Sequence, residues 1–301
     1  MRVILFTGAT GFIGRHLLQI SPNSKSVSRN RNKKNTFCID SLDATTNWEG
    51  AFTDINAVIH LAGLAHSHSF TEQEYQSVNL EGTLHLAHEA AKSGVKRFVF
   101  VSSIGVNGVS TLGVPFSIGS EPNPQNRYAE SKYSTEAGLQ KIAQETGLEV
   151  VIVRPPLVYG PNAPGNFGLL TRLVSYAPCL PFGLSNNKRD VIAVQNLADL
   201  LIKCAKHPDA AGHTFLVSDG EAVSIKAFTN AIAKGVGTSI IQLPIPVNLM
   251  RLVARICGKS VMIEQLVGDL EVNSSHIQEV LGWKPIYTME QAMRSLSENK
   301  Q

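Results

Sequence analysis

The chain has 301 residues, enough to bury a large core in one or two domains. Its 43% hydrophobic and 17% charged content describe an ordinary globular protein, and a net charge of +3 is too small to point to nucleic acid. Cys38, Cys179, Cys204 and Cys257 are far apart and form no CxxC, and no stretch reads as a signal peptide or membrane span, so a reducing, cytoplasmic setting is expected.

Val3, Ile4, Leu5 and Phe6 form an all-apolar run, the pattern of a strand buried on both faces of a parallel sheet. Gly8, Gly11 and Gly14 follow at a spacing of three, before an amphipathic helix predicted over 12–20. A strand, a tight glycine turn and a helix N-terminus together present backbone N–H groups and a positive dipole end to a pyrophosphate. The spacing is GxxGxxG, a variant of the GxGxxG dinucleotide fingerprint. A second strand is expected over 24–28 and a third over 37–39, ending at Asp40. Between them the basic run 29–34 reads either as a solvated loop or as a phosphate contact. Residues 57–61 make a clearer fourth strand, closed by Ala62 and Gly63.

A long helix is expected over 72–91, stopped at Ser93 and Gly94. A buried strand at 98–101 ends in Ser102 and Ser103. A loop rich in Gly, Ser and Pro fills 105–126, a helix covers 127–145, and 150–153 is the next strand. Strands alternating with helices at this rhythm predict an α/β fold, a Rossmann-like doubly wound parallel sheet. The stretch 155–164 is dense in Pro and Gly and reads as a hinge. Helices are expected at 169–176, 196–206, 225–234, 247–257 and 275–281, with one more strand at 214–217. The expected division is a dinucleotide-binding domain over 1–160, to which about 188–220 returns, and a smaller mixed α/β substrate-binding region over 161–187 and 221–301.

In an open parallel sheet the ligand lies beyond the carboxyl ends of the strands. That rule gathers Gly8, Thr10, Gly11, Phe12, Ile13, Gly14, Ser28, Arg29, Asp40, Ala62, Gly63, Ser103 and Pro155 on one rim. Tyr128 and Lys132 are four apart on a helix and share a face. An ammonium beside a phenol favours the phenolate, so Tyr128 is expected to be lowered from about 10 toward working pH. With a serine at a strand end binding the same oxygen, this is an acid/base pair suited to hydride transfer at a carbinol carbon.

These pieces resemble an extended short-chain dehydrogenase/reductase of the nucleotide-sugar epimerase/dehydratase group. The matching residues are Thr7, Gly8, Ala9, Thr10, Gly11, Phe12, Ile13 and Gly14; His60, Leu61, Ala62 and Gly63; Asn79; Ser102 and Ser103; Tyr128 and Lys132; and Arg154 with Pro155. The resemblance implies that Ser103, Tyr128 and Lys132 are catalytic. It adds Leu61 and Asn79 to the cofactor residues, and it places Asn166 and Arg189 on a nucleotide-sugar, the arginine on its diphosphate. Arginine suits that task because its planar fork binds phosphate bidentately.

Dehydratases of the group carry an Asp–Glu pair after the serine or threonine. Ile104 and Gly105 stand there instead and can move no proton. The expected reaction is therefore reduction of a UDP-4-keto-(6-deoxy)-N-acetylhexosamine, with UDP-sugar 4-epimerisation as the alternative and a non-catalytic NADP-binding sensor as a third reading. No carboxylate follows the second strand, where Ser28, Arg29 and Arg31 meet the ribose, so NADP is slightly favoured over NAD. A homodimer is expected. His66, His68, His85 and His88 have ligand-like spacing but no third ligand, so structural roles are expected and no metal. Asp199 is expected to support the fold.

Overall fold

The computed structural model describes residues 3–29, 35–65 and 70–298. The chain opens with β1 (Val3–Thr7), α1 (Phe12–Ile20), β2 (Lys25–Ser28), β3 (Thr36–Cys38) and β4 (Ile55–His60). The helix expected over 72–91 is divided. A short α2 (Glu72–Glu74), N-capped by Thr71, leads into a π-helical stretch (Tyr75–Glu81) and then α3 (Gly82–Lys92). Such widened turns reposition side chains and recur at functional sites. β5 (Arg97–Val101), α4 (Arg127–Thr146) and β6 (Glu149–Arg154) complete the first half. α4 starts where Asn126 Oδ1 accepts the Ala129 N–H and stops at Gly147, which takes the left-handed φ of 74°.

Then come β7 (Leu157–Tyr159), α5 (Gly165–Tyr176), β8 (Cys179–Leu180), β9 (Val191–Ala193), α6 (Val194–Lys206) and β10 (Thr214–Leu216). The chain ends with α7 (Ile225–Val236), β11 (Ile241–Gln242), α8 (Val247–Ile256), α9 (Ser260–Val267), α10 (Ser275–Leu281) and α11 (Met289–Glu298).

Among the described residues seven parallel strands form one sheet in the order β10-β6-β5-β4-β1-β2-β3. The order reverses between β1 and β4, which opens a crevice beyond Thr7 and His60, paired neighbours at the two strand ends. Alternation along each strand builds two cores. Ile4, Phe6, Ile59 and Val99 face α1, α6 and α10, while Leu5, Val58, Phe98 and Phe100 face α3 and α4. A third core of Tyr159, Phe167, Phe228, Met250 and Met293 is made by α5, α7, α8 and α11.

The stretch 155–164, expected as a hinge, contains a strand. Within it β7 pairs in parallel with β9, and Tyr159 is fully buried with its hydroxyl donating to Asp219 Oδ2 at 2.8 Å. Three apolar residues are too short a run to read against a Pro/Gly background; the distant partner strand makes them a strand.

Candidate active site

The glycine turn after β1 is as tight as its spacing implies. Gly8 has φ 67°, and a Cβ there would lie 2.7 Å from Ala62 N. A Cβ on Gly14 would run into Gly8 O and come 2.6 Å from Ala9 Cα. α1 therefore begins close against β1 and the end of β4. Gly11 caps it with no side-chain hydrogen bond, leaving first-turn N–H groups for a ligand. This cradle fits a dinucleotide pyrophosphate.

Below it, polar groups lock the two strand ends together. Thr7 Oγ1 accepts the Leu61 and Ala62 N–H groups, both at 3.2 Å, so its own proton goes to His60 Nδ1 at 2.7 Å. His60 Nε2 then donates to Thr83 Oγ1 at 2.9 Å. Burial, with Lys132 nearby, pushes His60 down to about 3, so the ring is a neutral strut. Asn79 reaches from the π-helical stretch. Its Oδ1 accepts the Leu64 N–H at 2.7 Å, and its Nδ2 donates to Leu64 O and Ser131 Oγ, each at 3.1 Å. A Cβ on Gly63 would meet Asn79 Oδ1 at 2.9 Å and lie 3.9 Å from Lys132 Nζ. Gly63, Asn79 and Lys132 thus converge.

α4 supplies Tyr128 and Lys132. Lys132 Nζ donates to Val101 O at 3.0 Å and sits 4.6 Å from the Phe100 ring centroid and 5.8 Å from that of Tyr128. Two residues after Val101, Ser103 Oγ accepts the Gly105 N–H at 3.0 Å, which leaves its proton to give. The β5 end is braced against β6, because Ser102 N donates to Val153 O and Ile104 N to Pro155 O. Ile104 is buried with Leu216, Leu270 and Val272, so no proton donor or acceptor stands there.

One expectation is reversed. The phenol of Tyr128 is pushed up to about 12, because burial of its hydroxyl end and the neighbouring Tyr75 disfavour the phenolate. Lys132 is pushed down to about 8 by burial, partly offset by Glu136. In the protein alone burial disfavours the charged form of both groups.

Beneath the pair lies a clasp that was not read from the sequence. Glu136 accepts from Ser102 Oγ, from Arg154 Nε at 3.0 Å and from Arg154 Nη2, while Arg154 Nη1 donates to Asn107 Oδ1 at 3.0 Å. All four residues are buried. The available signal was the spacing, since Glu136 continues the Tyr128, Lys132 face at the next i, i+4 position.

The remaining expected residues sit on other elements. Arg189 is partly buried, its Nη1 donating to Gly268 O at 2.9 Å; it is no surface partner of Asp190, whose Oδ2 accepts the Val272 N–H. Burial lowers Arg189 to about 10. Asn166 is exposed in the first turn of α5. Ser28 ends β2, Arg29 beside it and Asp40 after β3 are exposed, and Arg31, His66 and His68 lie outside the described residues. His85 Nε2 donates to Thr46 O at 2.9 Å, a structural contact, and Asp199 accepts from Trp283 Nε1 at 2.8 Å. A cleft of about 750 Å³ between α7, α11 and 284–288 contains none of the expected site residues.

A switch-point crevice with a glycine cradle and a Tyr–Lys pair on the facing helix defines a nicotinamide-dinucleotide-dependent dehydrogenase fold. The sequence pattern of the NAD-dependent epimerase/dehydratase family matches residues 4–218, and the chain belongs to that family. It is 38% identical to a UDP-glucose 4-epimerase of Vibrio cholerae over 309 residues, covering 98% of this chain and 94% of the relative. Among solved structures, UDP-glucose 4-epimerase of Thermotoga maritima with UDP-glucose superposes with a TM-score of 0.77 at 23% identity, covering 98% of this chain and 97% of that one. RMD of Pseudomonas aeruginosa, complexed with NADPH, gives 0.77 at 21% identity over 99% and 98%. The chain is thus an NAD(P)-dependent enzyme of the nucleotide-sugar type.

Proposed function

We propose that the protein interconverts the C4 epimers of a UDP-linked hexose. The observation that carries this is the Tyr128–Lys132 pair facing Gly63 and the β5 end, with nothing able to transfer a proton at Ile104 and Gly105. The full-length similarity to the Vibrio epimerase supports this alternative over reduction of a UDP-4-keto-(6-deoxy)-N-acetylhexosamine.

A bound nicotinamide supplies reversible hydride acceptance. Tyr128 takes the proton of the C4 hydroxyl and returns it to the oxygen when the carbon is reduced again. Lys132 holds the phenolate by its charge, and Ser103 donates to the reacting oxygen. Tyr128 would gain further support for its phenolate from the positive charge of an oxidised nicotinamide held beside it. Gly8, Thr10, Gly11, Phe12, Ile13 and Gly14 hold the pyrophosphate, and Leu61, Ala62, Gly63, Asn79 and Pro155 line the nicotinamide side. Arg189 and Asn166 take the UDP-sugar, supported by the third core as the substrate-binding side of the fold. Ser28 and Arg29 favour NADP at the ribose, since no carboxylate stands there.

The test is product NMR after incubation with UDP-glucose and with UDP-N-acetylglucosamine, with nicotinamide absorbance followed in parallel. The expected result is a mixture of C4 epimers without net cofactor turnover, lost about 100- to 10,000-fold in Tyr128→Phe. Stoichiometric cofactor oxidation with a 4-keto sugar would replace the epimerase by the reductase. Near wild-type turnover in Tyr128→Phe would remove the residue from the mechanism.

A further inference from the structure

α8 is apolar on two faces and buries one. Met250 and Ala254 turn into the third core, whereas Leu249, Leu252, Val253 and Ile256 are exposed, Ile256 at 78%. Positions i, i+3, i+4 and i+7 form one continuous stripe along the helix. α9 carries Val261 and Met262, also exposed, beyond a turn at Gly258. Single exposed apolar residues are ordinary, but six on one helical hairpin are not.

The charge on this hairpin is net positive, with Glu264 its one acid. The segment 238–263 contains Arg251, Arg255 and Lys259 and no Asp or Glu. Arg251 is paired with Glu264 of α9 at 2.7 Å; among the described residues Arg255 and Lys259 make no ion pair. The surface also reaches the active-site loop. Thr111 N donates to Asp269 O, Phe116 N to Glu271 O and Asn273 N to Phe116 O, so the segment after α9 carries the loop between Ser103 and Tyr128. That loop exposes Val109, Leu112, Val114 and Ile118, and 104–120 contains no charged residue. The acids at the junction are engaged: Asp269 accepts the Lys188 N–H, and Glu271 lies 3.7 Å from Lys188 Nζ.

We propose that the exposed face of α8 and α9, with the tip of the 109–118 loop, docks the protein on an anionic lipid bilayer. An aliphatic stripe beside Arg and Lys, with few acids, matches a helix lying in the headgroup plane, its apolar side in the acyl boundary and its cations on lipid phosphates. A second copy meets the charge less well. A two-fold contact sets the patch against itself, so Arg255 and Lys259 would face like charges, the one carboxylate of the hairpin, Glu264, being held by Arg251. Docking in this way brings the loop leading to Tyr128 to the lipid surface.

The inference does not depend on which sugar the site takes, and its test uses no substrate. Wild type, Leu252→Glu/Ile256→Glu and Arg255→Glu/Lys259→Glu are floated with vesicles of phosphatidylglycerol and phosphatidylethanolamine, and with phosphatidylcholine alone. Thermal melting and nicotinamide dinucleotide binding report the fold of each. Wild type should float with the anionic vesicles at least about tenfold more than with phosphatidylcholine, and each variant should lose at least about tenfold while its melt and dinucleotide binding stay unchanged. No flotation of wild type, or flotation untouched by both folded variants, overturns the proposal. So does sedimentation showing a wild-type dimer that Leu252→Glu/Ile256→Glu makes monomeric. Should one variant fail to fold, the other decides.

Discussion

Glu136→Gln isolates the charge of the buried clasp, because it keeps the side chain's volume and removes only its ionisation. In the wild type, Glu136 and Arg154 expose 4% and 9% of their side chains, and the carboxylate accepts three hydrogen bonds. An amide accepts through one oxygen only, so the guanidinium keeps Asn107 and loses its counter-charge. Breaking a buried pair from one side costs about 3–5 kcal/mol. At about 2 °C per kcal/mol for a chain of this size, Tm should fall by about 6–10 °C in a circular-dichroism melt at neutral pH. Adding Arg154→Met removes the stranded charge, so the double variant should lose clearly less than the sum of the single losses. Glu136 also holds Lys132 up, so the alkaline limb of the pH–rate profile should move to lower pH in Glu136→Gln. A Tm loss below about 2 °C, or strict additivity in the double variant, refutes the reasoning.

Lys132→Met should melt higher than wild type at pH 7 while losing turnover. Burial lowers Lys132 from 10.5 to about 8, so the unfolded chain binds its proton more firmly; charged Lys132 costs about 3 kcal/mol below pH 8, and the cost fades as pH rises toward 10.5. The gap in Tm should narrow by pH 10, and a variant melting below wild type at pH 7 contradicts this. Gly14→Ala should abolish dinucleotide binding measured by calorimetry, because its Cβ runs into Gly8 O and Ala9 Cα; unchanged affinity would show that the turn can shift. For the ribose end, dissociation constants of NADP and NAD should show NADP bound at least as tightly as NAD, with the advantage lost in Arg29→Ala. A clear preference for NAD, the same in both proteins, rejects that reading.

The parallel sheet and the first glycine turn were legible from residues because each is encoded locally. A run of four apolar residues reads as a doubly buried strand, and Gly11 and Gly14 answer contacts within the same turn, as the left-handed φ of Gly8 answers the turn itself. Tyr128 and Lys132 were legible for the same reason, as one helical step places them on one face. Helix ends read well wherever a cap marks them, as at Asn126 and Gly147. β7 and β9 were missed because each is three residues long and becomes a strand only by pairing with the other across more than thirty residues. Arg154 was visible merely as half of an Arg–Pro pair; that its guanidinium neutralises Glu136 depends on β6 lying beside β5 and under α4. The ionisation of Tyr128 shows the limit most clearly. Its distance in sequence to Lys132 predicts a lowered value, but the depth to which the assembled fold buries the phenol decides the direction, and burial raises it.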